Sequence, residues 1–223
     1  MKTELDHIVI ACTTLDEGRA WAQETFGVEP TGGGKHDGLA THNTLVPLGN
    51  TQYLEIIAID PGAGAATFPR WFGLDTDEVK AMIAHEPRLV AWVARVVASD
   101  AGESIPLGIE TFAATKNFPA SVVCPAQRAD FRWRFAFTPT GARPAGGVMP
   151  HLIQWDSPVH PRERMQPAHM SLTSLLLGAP EPKTTQAMLE AIAFADVRVH
   201  IGQSTTAHLV ATLSTPRGRV VLD

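Results

Sequence analysis

The stretch HDGLATHNTLVPLGNTQYLEIIAIDP, from His36 to Pro61, decides how the rest of this chain is read. Two short apolar runs, Thr44–Leu48 and Tyr53–Ile59, flank the turn Gly49-Asn50-Thr51-Gln52. β-favouring runs joined by a turn rich in Gly and Asn spell a β-hairpin. Glu55 lies in the middle of the second run, between Leu54 and Ile56. Burying a lone carboxylate costs roughly several kcal/mol, so Glu55 is expected to have a partner or to face a polar cavity. His7 stands in a comparable place in another apolar run, LDHIVIA (5–11). Two largely oily segments thus each offer a metal-capable side chain.

Outward from the hairpin, strand, helix and further strands recur three times, a self-similarity that governs the whole fold. LDHIVIA opens the first repeat. Thr14 is placed to cap a helix over Leu15–Phe26, with Glu17 three residues on as in a capping box, and Gly27 stops it. Gly32-Gly33-Gly34 reads as a loop into the hairpin. The second repeat starts at Leu89 with LVAWVARV, continues through a short helical segment from Ser99 to about Leu107, and pairs DFRWRFAF (130–137) with PHLIQWD (150–156). The third starts near His169 with HMSLTSLLL, then a helix over Pro182–Ala193 and strands VRVHIG (197–202), HLVATL (208–213) and GRVVLD (218–223). Between the first two lies an irregular linker and a helix over Asp75–His85, capped by Asp75 or Thr76. SPVHPRERMQP (157–167), with its three prolines, is a connecting loop. The expected division is 1–62 first module, 63–88 linker and helix, 89–157 second module, 158–168 linker, and 169–223 a C-terminal β-α-β-β module.

Composition narrows the function classes. A chain of 223 residues with 44% hydrophobic content can bury a large core. A net charge of −5 and no Lys/Arg block offer nothing to nucleic acid or an anionic lipid surface. Its two cysteines, Cys12 and Cys124, are far apart and form no C-x-x-C pair, which reads as reduced thiols in a cytoplasmic protein. No signal peptide pattern and no run long enough for a membrane helix are present. No glycine-rich phosphate loop or G-x-S-x-G elbow occurs either.

LDHIVIA, the pattern H-x-G-x-x-T-H-N-x-L-x-x-L-G-x-x-x-Y-L-E-I-I-A-x-D-P and the later RWRFAF and PHLIQWD together resemble the glyoxalase-like domain of the vicinal oxygen chelate superfamily. The likeness is close over residues 5–61 and holds in element order beyond. It implies an α+β fold of repeated β-α-β-β-β modules, forming curled mixed sheets around a cavity, with a third partial module at the C-terminus. It also implies a small-molecule ligand with neighbouring oxygens, often a homodimer, and a divalent metal ion (Zn, Fe, Mn, Ni or Mg) held on the first and last strands of each module.

Carried onto this chain, the resemblance puts His7 at the first-strand ligand position and Glu55 at the last-strand one. Period-two geometry places His7 with Leu5, Val9 and Ala11, and Glu55 with Tyr53 and Ile57, so a helix covering the opposite faces leaves both looking into the cavity. The second module departs from the pattern. Ala91 or Trp92 stands where a ligand is expected, and Gln154 is the best match to Glu55. His36, His42 and His151 are the remaining histidine candidates for a metal set of His7, Glu55 and Gln154, which is short of the three strong protein ligands of a catalytic zinc site.

Each residue also has a plain structural reading. His7 can be a core histidine satisfied by Glu55 or a carbonyl, and His36 a surface residue. Asn43 can serve the turn, and Trp92, Trp133 and Trp155 can line a pocket or fill the core. Arg132 and Arg134 share one face of their strand. If it lines the cavity they clamp an anionic substrate group, and if it faces solvent they are ordinary alternation. Two functions stand open. One is a lyase, isomerase or dioxygenase-type enzyme with His7 and Glu55 catalytic and His36, Asn43, Arg132, Arg134 and Trp92 binding substrate. The other is a metal-free protein that binds or sequesters a small ligand on the same scaffold.

Overall fold

The computed structural model describes every residue except Ala101, Gly102, Asn117 and Ala120. Strand β1 (Lys2–Ala11) leads into helix α1 (Leu15–Phe26). The Thr14 hydroxyl accepts the Glu17 N–H, and the Glu17 carboxylate accepts the Thr14 N–H, so two orphan donors of the first turn are satisfied. Gly27 ends the helix at φ 71, a left-handed cap that only glycine takes without strain. The hairpin follows as β3 (Thr41–Leu48) and β4 (Gln52–Ile59).

The glycine run expected as a loop is instead an edge strand, β2 (Thr31–His36), paired with β3. A Cβ at Gly33 would stand 2.1 Å from the Asn43 carbonyl oxygen, so the close approach of the two backbones requires glycine. Low strand propensity hid the pairing.

Helix α2 (Asp77–Met82) is capped by the Thr76 hydroxyl and is shorter than the expected 75–85. After β5 (Arg88–Val97), helix α3 spans Gly108–Ala113. It therefore begins where the helical segment of 99–107 was expected to end, and Ala101 and Gly102 of that segment lie outside the described residues. β6 (Val122–Arg128) was not anticipated, because Pro125 argues against a strand. At a sheet edge its missing N–H faces no partner. Then come β7 (Phe131–Phe137), β8 (His151–Trp155), β9 (Ser171–Ala179), α4 (Pro182–Ala191), β10 (Val199–Gln203), β11 (His208–Thr215) and β12 (Gly218–Leu222).

The first eight strands form one mixed sheet in the order β2-β3-β4-β1-β5-β8-β7-β6, which mirrors one module onto the other across the antiparallel β1–β5 pair. Within each half the first strand runs parallel to the last, β1 with β4 and β5 with β8. Strands β9 to β12 form a second sheet, β10-β9-β11-β12. Its element order repeats that of the modules, yet its strand after the helix pairs directly beside the strand before it.

The curled eight-stranded sheet has two apolar faces. On the convex side Ile8, Ile10, Leu54, Ile56 and Trp92 pack under α1 and the second sheet. On the concave side Val9, Ile57, Trp133 and Phe135 meet Trp71 and Phe72 from the segment after β4. Alternation along each strand thus feeds two separate cores.

Helix α1 lies close on the sheet at Gly18, where a Cβ would come within 2.5 Å of Ile56 Cγ2 and 2.7 Å of Cys12 Sγ. Gly18→Ala gains about 1 kcal/mol of helix propensity but overpacks this contact. A net loss of about 1–2 kcal/mol is expected, read as a lower urea midpoint at unchanged slope with the far-ultraviolet dichroism retained.

Candidate functional site

The site starts from one extra residue in β1. Leu5 pairs with Ala94 and His7 with Val93 on β5, so Asp6 is a bulge. A bulge interrupts the alternation of faces. Leu5 and Ile8 stay in the convex core, while Asp6 and His7 both turn to the concave side. Asp6 is fully buried and its oxygens are taken up by three donors. His7 Nδ1 lies 2.6 Å from Oδ1, and the Trp155 indole N–H and His160 Nε2 each lie 3.0 Å from Oδ2. His160 Nδ1 accepts the Arg162 N–H, which leaves Nε2 as the protonated nitrogen facing Asp6.

His7 Nε2 lies 3.3 Å from Glu55 Oε2, so the imidazole sits between two carboxylates. Both partners only accept hydrogen bonds, so both ring nitrogens carry protons. Burial by itself pushes the His7 pKa down. Asp6 and Glu55 overcome that and hold it at about 9. Burial pushes Glu55 up, but His7 and the Asn43 amide prevail and keep it below the usual carboxylate range. The ring of Tyr53 stacks on His7 at a centroid distance of 4.4 Å and fixes its plane.

These groups face a tight recess whose walls are largely aromatic: Trp71, Phe72, Trp133, Phe135 and Trp155. His36, Trp71, Trp133 and Phe135 also border a second, roomier chamber towards Phe68 and Pro125. Burial lowers the His36 pKa to about 4, so that ring is neutral, with Nδ1 3.0 Å from the Thr41 hydroxyl. Asn43 donates from Nδ2 to Glu55 Oε1 at 2.5 Å. Its Oδ1 accepts the Gly34 N–H at 2.9 Å and Arg128 Nη1 at 3.2 Å.

Of the residues expected at the site, His7, Glu55, His36 and Asn43 come together on this recess. Four do not, and the reason is strand parity. Trp133 and Phe135 take the concave side of β7, so Arg132 and Arg134 point away from the cavity. Arg132 is exposed, and Arg134 is bound by Glu110 and Asp156. Gln154 is on the outer face of β8, its amide spent on the Ile105 carbonyl and the Ile109 N–H. Trp92 belongs to the convex core, where its indole N–H donates to the Val148 carbonyl. His151, on β8, is buried against Phe72 and Phe135. Trp133 and Trp155 do line the recess, whereas Asp6, Tyr53, Arg128 and His160 were missed. The pairing of Asp6 with His7 was masked by period-two reasoning, and His160 arrives from a proline-rich loop that carries no periodic signal.

The donors present do not fit a three-ligand metal centre. His7 and Glu55 are bonded to each other, Asp6 holds the second nitrogen of His7, and Gln154 lies on the wrong face. Among the described residues no group of three His, Cys, Asp or Glu side chains is arranged to hold an ion. Cys12 and Cys124 are free thiols, and among the described residues no helix is long and apolar enough to cross a membrane.

The family model described as a glyoxalase-like domain matches residues 5–193. Comparison with curated proteins found no match. Among solved structures, the methylmalonyl-CoA epimerase of Mycobacterium tuberculosis is 16% identical and aligns over 70% of this chain and 88% of its own, at a TM-score of 0.40. A Streptomyces coelicolor methylmalonyl-CoA epimerase variant in complex with 2-nitronate-propionyl-CoA is 14% identical over 71% and 97%, at 0.42. A hypothetical protein from Bacillus halodurans C-125 is 11% identical over 72% and 98%, at 0.42.

The titration of His7 has a direct consequence for stability. Its pKa rises from 6.5 to about 9 on folding, so its contribution is complete below pH 6.5 and is lost as pH rises through 9. His36 and His151, lowered to about 4 and about 3, act in the opposite sense and weaken the fold as pH drops below 6.5. Urea denaturation across this range is expected to show a maximum near pH 6.5, falling towards pH 9 by up to about 1.4 kcal/mol per pH unit. His7→Gln is expected to lower the curve and flatten that alkaline limb.

Proposed function

This chain belongs to the glyoxalase-like domain family of the vicinal oxygen chelate superfamily, and on that footing we propose that it is a small-molecule enzyme in which His7 and Glu55 move a proton at a carbon next to a carbonyl. The observation that carries this reading is the buried imidazolium set 3.3 Å from a carboxylate at the floor of an aromatic-walled recess. Such a pair joins a general base to an electrophile in one place. A ligand carbonyl that inserts at His7 Nε2 takes the hydrogen bond from Glu55. The carboxylate, freed of that partner and short of water, becomes a stronger base and removes the proton from the adjacent carbon. The electron pair of the C–H bond moves onto the carbonyl oxygen, and the imidazolium N–H stabilises the resulting enolate. Return of the proton to the other face, or to a neighbouring atom, completes an epimerase- or isomerase-type turnover. Asp6 holds the ring orientation throughout, as the carboxylate of a catalytic triad does. Every step uses this chain's own side chains.

One observation favours the second reading, a ligand-binding protein without chemistry: both nitrogens of His7 and both oxygens of Glu55 already have protein partners. Proton NMR in deuterated buffer separates the two. Exchange at the carbon next to the carbonyl should be followed for a panel of aryl-substituted ketones and 2-oxo acids. The wild type is expected to accelerate exchange for at least one of them, with activity falling above pH 9 as His7 loses its proton. Glu55→Gln is expected to cut the rate by about 100-fold or more while binding persists. Binding without exchange in the wild type, or equal rates in the variant, leaves the second reading.

A further inference from the structure

Arg128 occupies an unusual position for a cation. It is the last residue of β6, half-buried, and lines the inner recess. Among the described residues no carboxylate lies within 4.0 Å of it, whereas Arg134 on the next strand is held by Glu110 and Asp156. Its one side-chain hydrogen bond goes to a neutral acceptor, Asn43 Oδ1. A guanidinium has five N–H donors in a planar fork suited to an anion, and here most of them remain unspent at the wall of a cavity. The side chain is nonetheless seated: a Cβ on Gly34 would stand 2.8 Å from Arg128 Cδ, so the stem lies in the space that glycine leaves.

We propose that Arg128 is the anion-recognition residue of the recess, and that the ligand is a small oxygenated carboxylic acid with an apolar tail. This assignment rests on the reading of His7 and Glu55 given above for where the reacting carbon lies. The Asn43 amide sets the spacing. One end donates to Glu55 and the other accepts from Arg128, so a single carboxamide separates the base from the guanidinium. A carboxylate bound to Arg128 thus presents its nearest carbons to Glu55 and His7, and a distant part of a long chain does not fit that distance. A 2-oxo acid meets the requirement, with its ketone oxygen beside the imidazolium and its carboxylate in the guanidinium fork. The tail extends between Trp71 and Trp133 into the outer chamber.

Calorimetry with 2-oxo-4-phenylbutyrate and its neutral ethyl ester tests this on the intact wild-type chain, with no variant needed. The acid is expected to bind at least about tenfold more tightly than the ester, a preference that weakens as salt is raised. In Arg128→Gln the acid should lose about tenfold in affinity while the ester changes by less than about twofold, and Arg128→Lys should restore part of the preference. Equal binding of acid and ester by the wild type, an unchanged preference in folded Arg128→Gln, or no binding of either up to about 10 mM overturns the assignment. Binding and proton exchange by the wild type, measured side by side, keep the two ideas apart. A preference for the acid without proton exchange in the wild type defeats the catalytic reading alone, and exchange without that preference defeats the role of Arg128 alone.

Discussion

Asp6 has no exposed surface, and an ionised carboxylate is tolerated there because three donors from different parts of the chain converge on it. His7 comes from the same strand, Trp155 from the far half of the sheet, and His160 from the segment that leads to the second sheet. The bulge that turns Asp6 inwards therefore does two things. It closes the floor of the cavity by tying β1 to β8 and to the 157–167 segment. It also commits His7 to the imidazolium form, because a carboxylate stands at each of its nitrogens. Removing His7 leaves Asp6 as an unpaired buried charge, a defect on the order of 3–5 kcal/mol.

Asp6 and Glu55 share one imidazolium between them, and Asn43 bridges Glu55 to the Arg128 guanidinium. Aromatic walls keep water scarce, which strengthens each of these interactions. Fixed charges in a dry pocket need little reorganisation when a polar ligand arrives, and this is the property that both binding and proton transfer exploit.

The architecture was legible because local signals agreed with one another. The Thr14–Glu17 capping box and Gly27 mark the boundaries of α1 as the structure has them, and the turn after Leu48 marks the hairpin, although β3 starts earlier, at Thr41, and β4 already includes Gln52. Glu55 stood out as a lone ionisable group in an apolar run and His7 as the histidine of another, and the structure brings them to one recess. What escaped depends on parity and on long-range pairing. One inserted residue moves Asp6 to the face of His7, which strict alternation forbids. The same alternation says that Arg132 and Arg134 share a face, but the sequence carries no mark of which face is concave. Arg128 sits in a strand interrupted by Pro125, and β2 is built from glycines, so neither edge announced itself. Trp71 and Phe72 reach the recess from a segment without periodicity, with Phe72 at φ 59, a conformation that propensity rules do not foresee.

The two margins of the eight-stranded sheet are β2 and β6, one carrying three consecutive glycines and the other a proline. Neither offers an uninterrupted row of backbone donors and acceptors: β2 bends at its glycines, and Pro125 lacks an N–H in β6. A sheet this wide with uninterrupted outer strands would be a template for another chain to add on and propagate. Residues that look like poor choices for a strand thus double as protection against polymerisation, and the positive φ of Gly32, Gly33 and Gly34 closes that edge to the β-branched side chains a propagating strand would use.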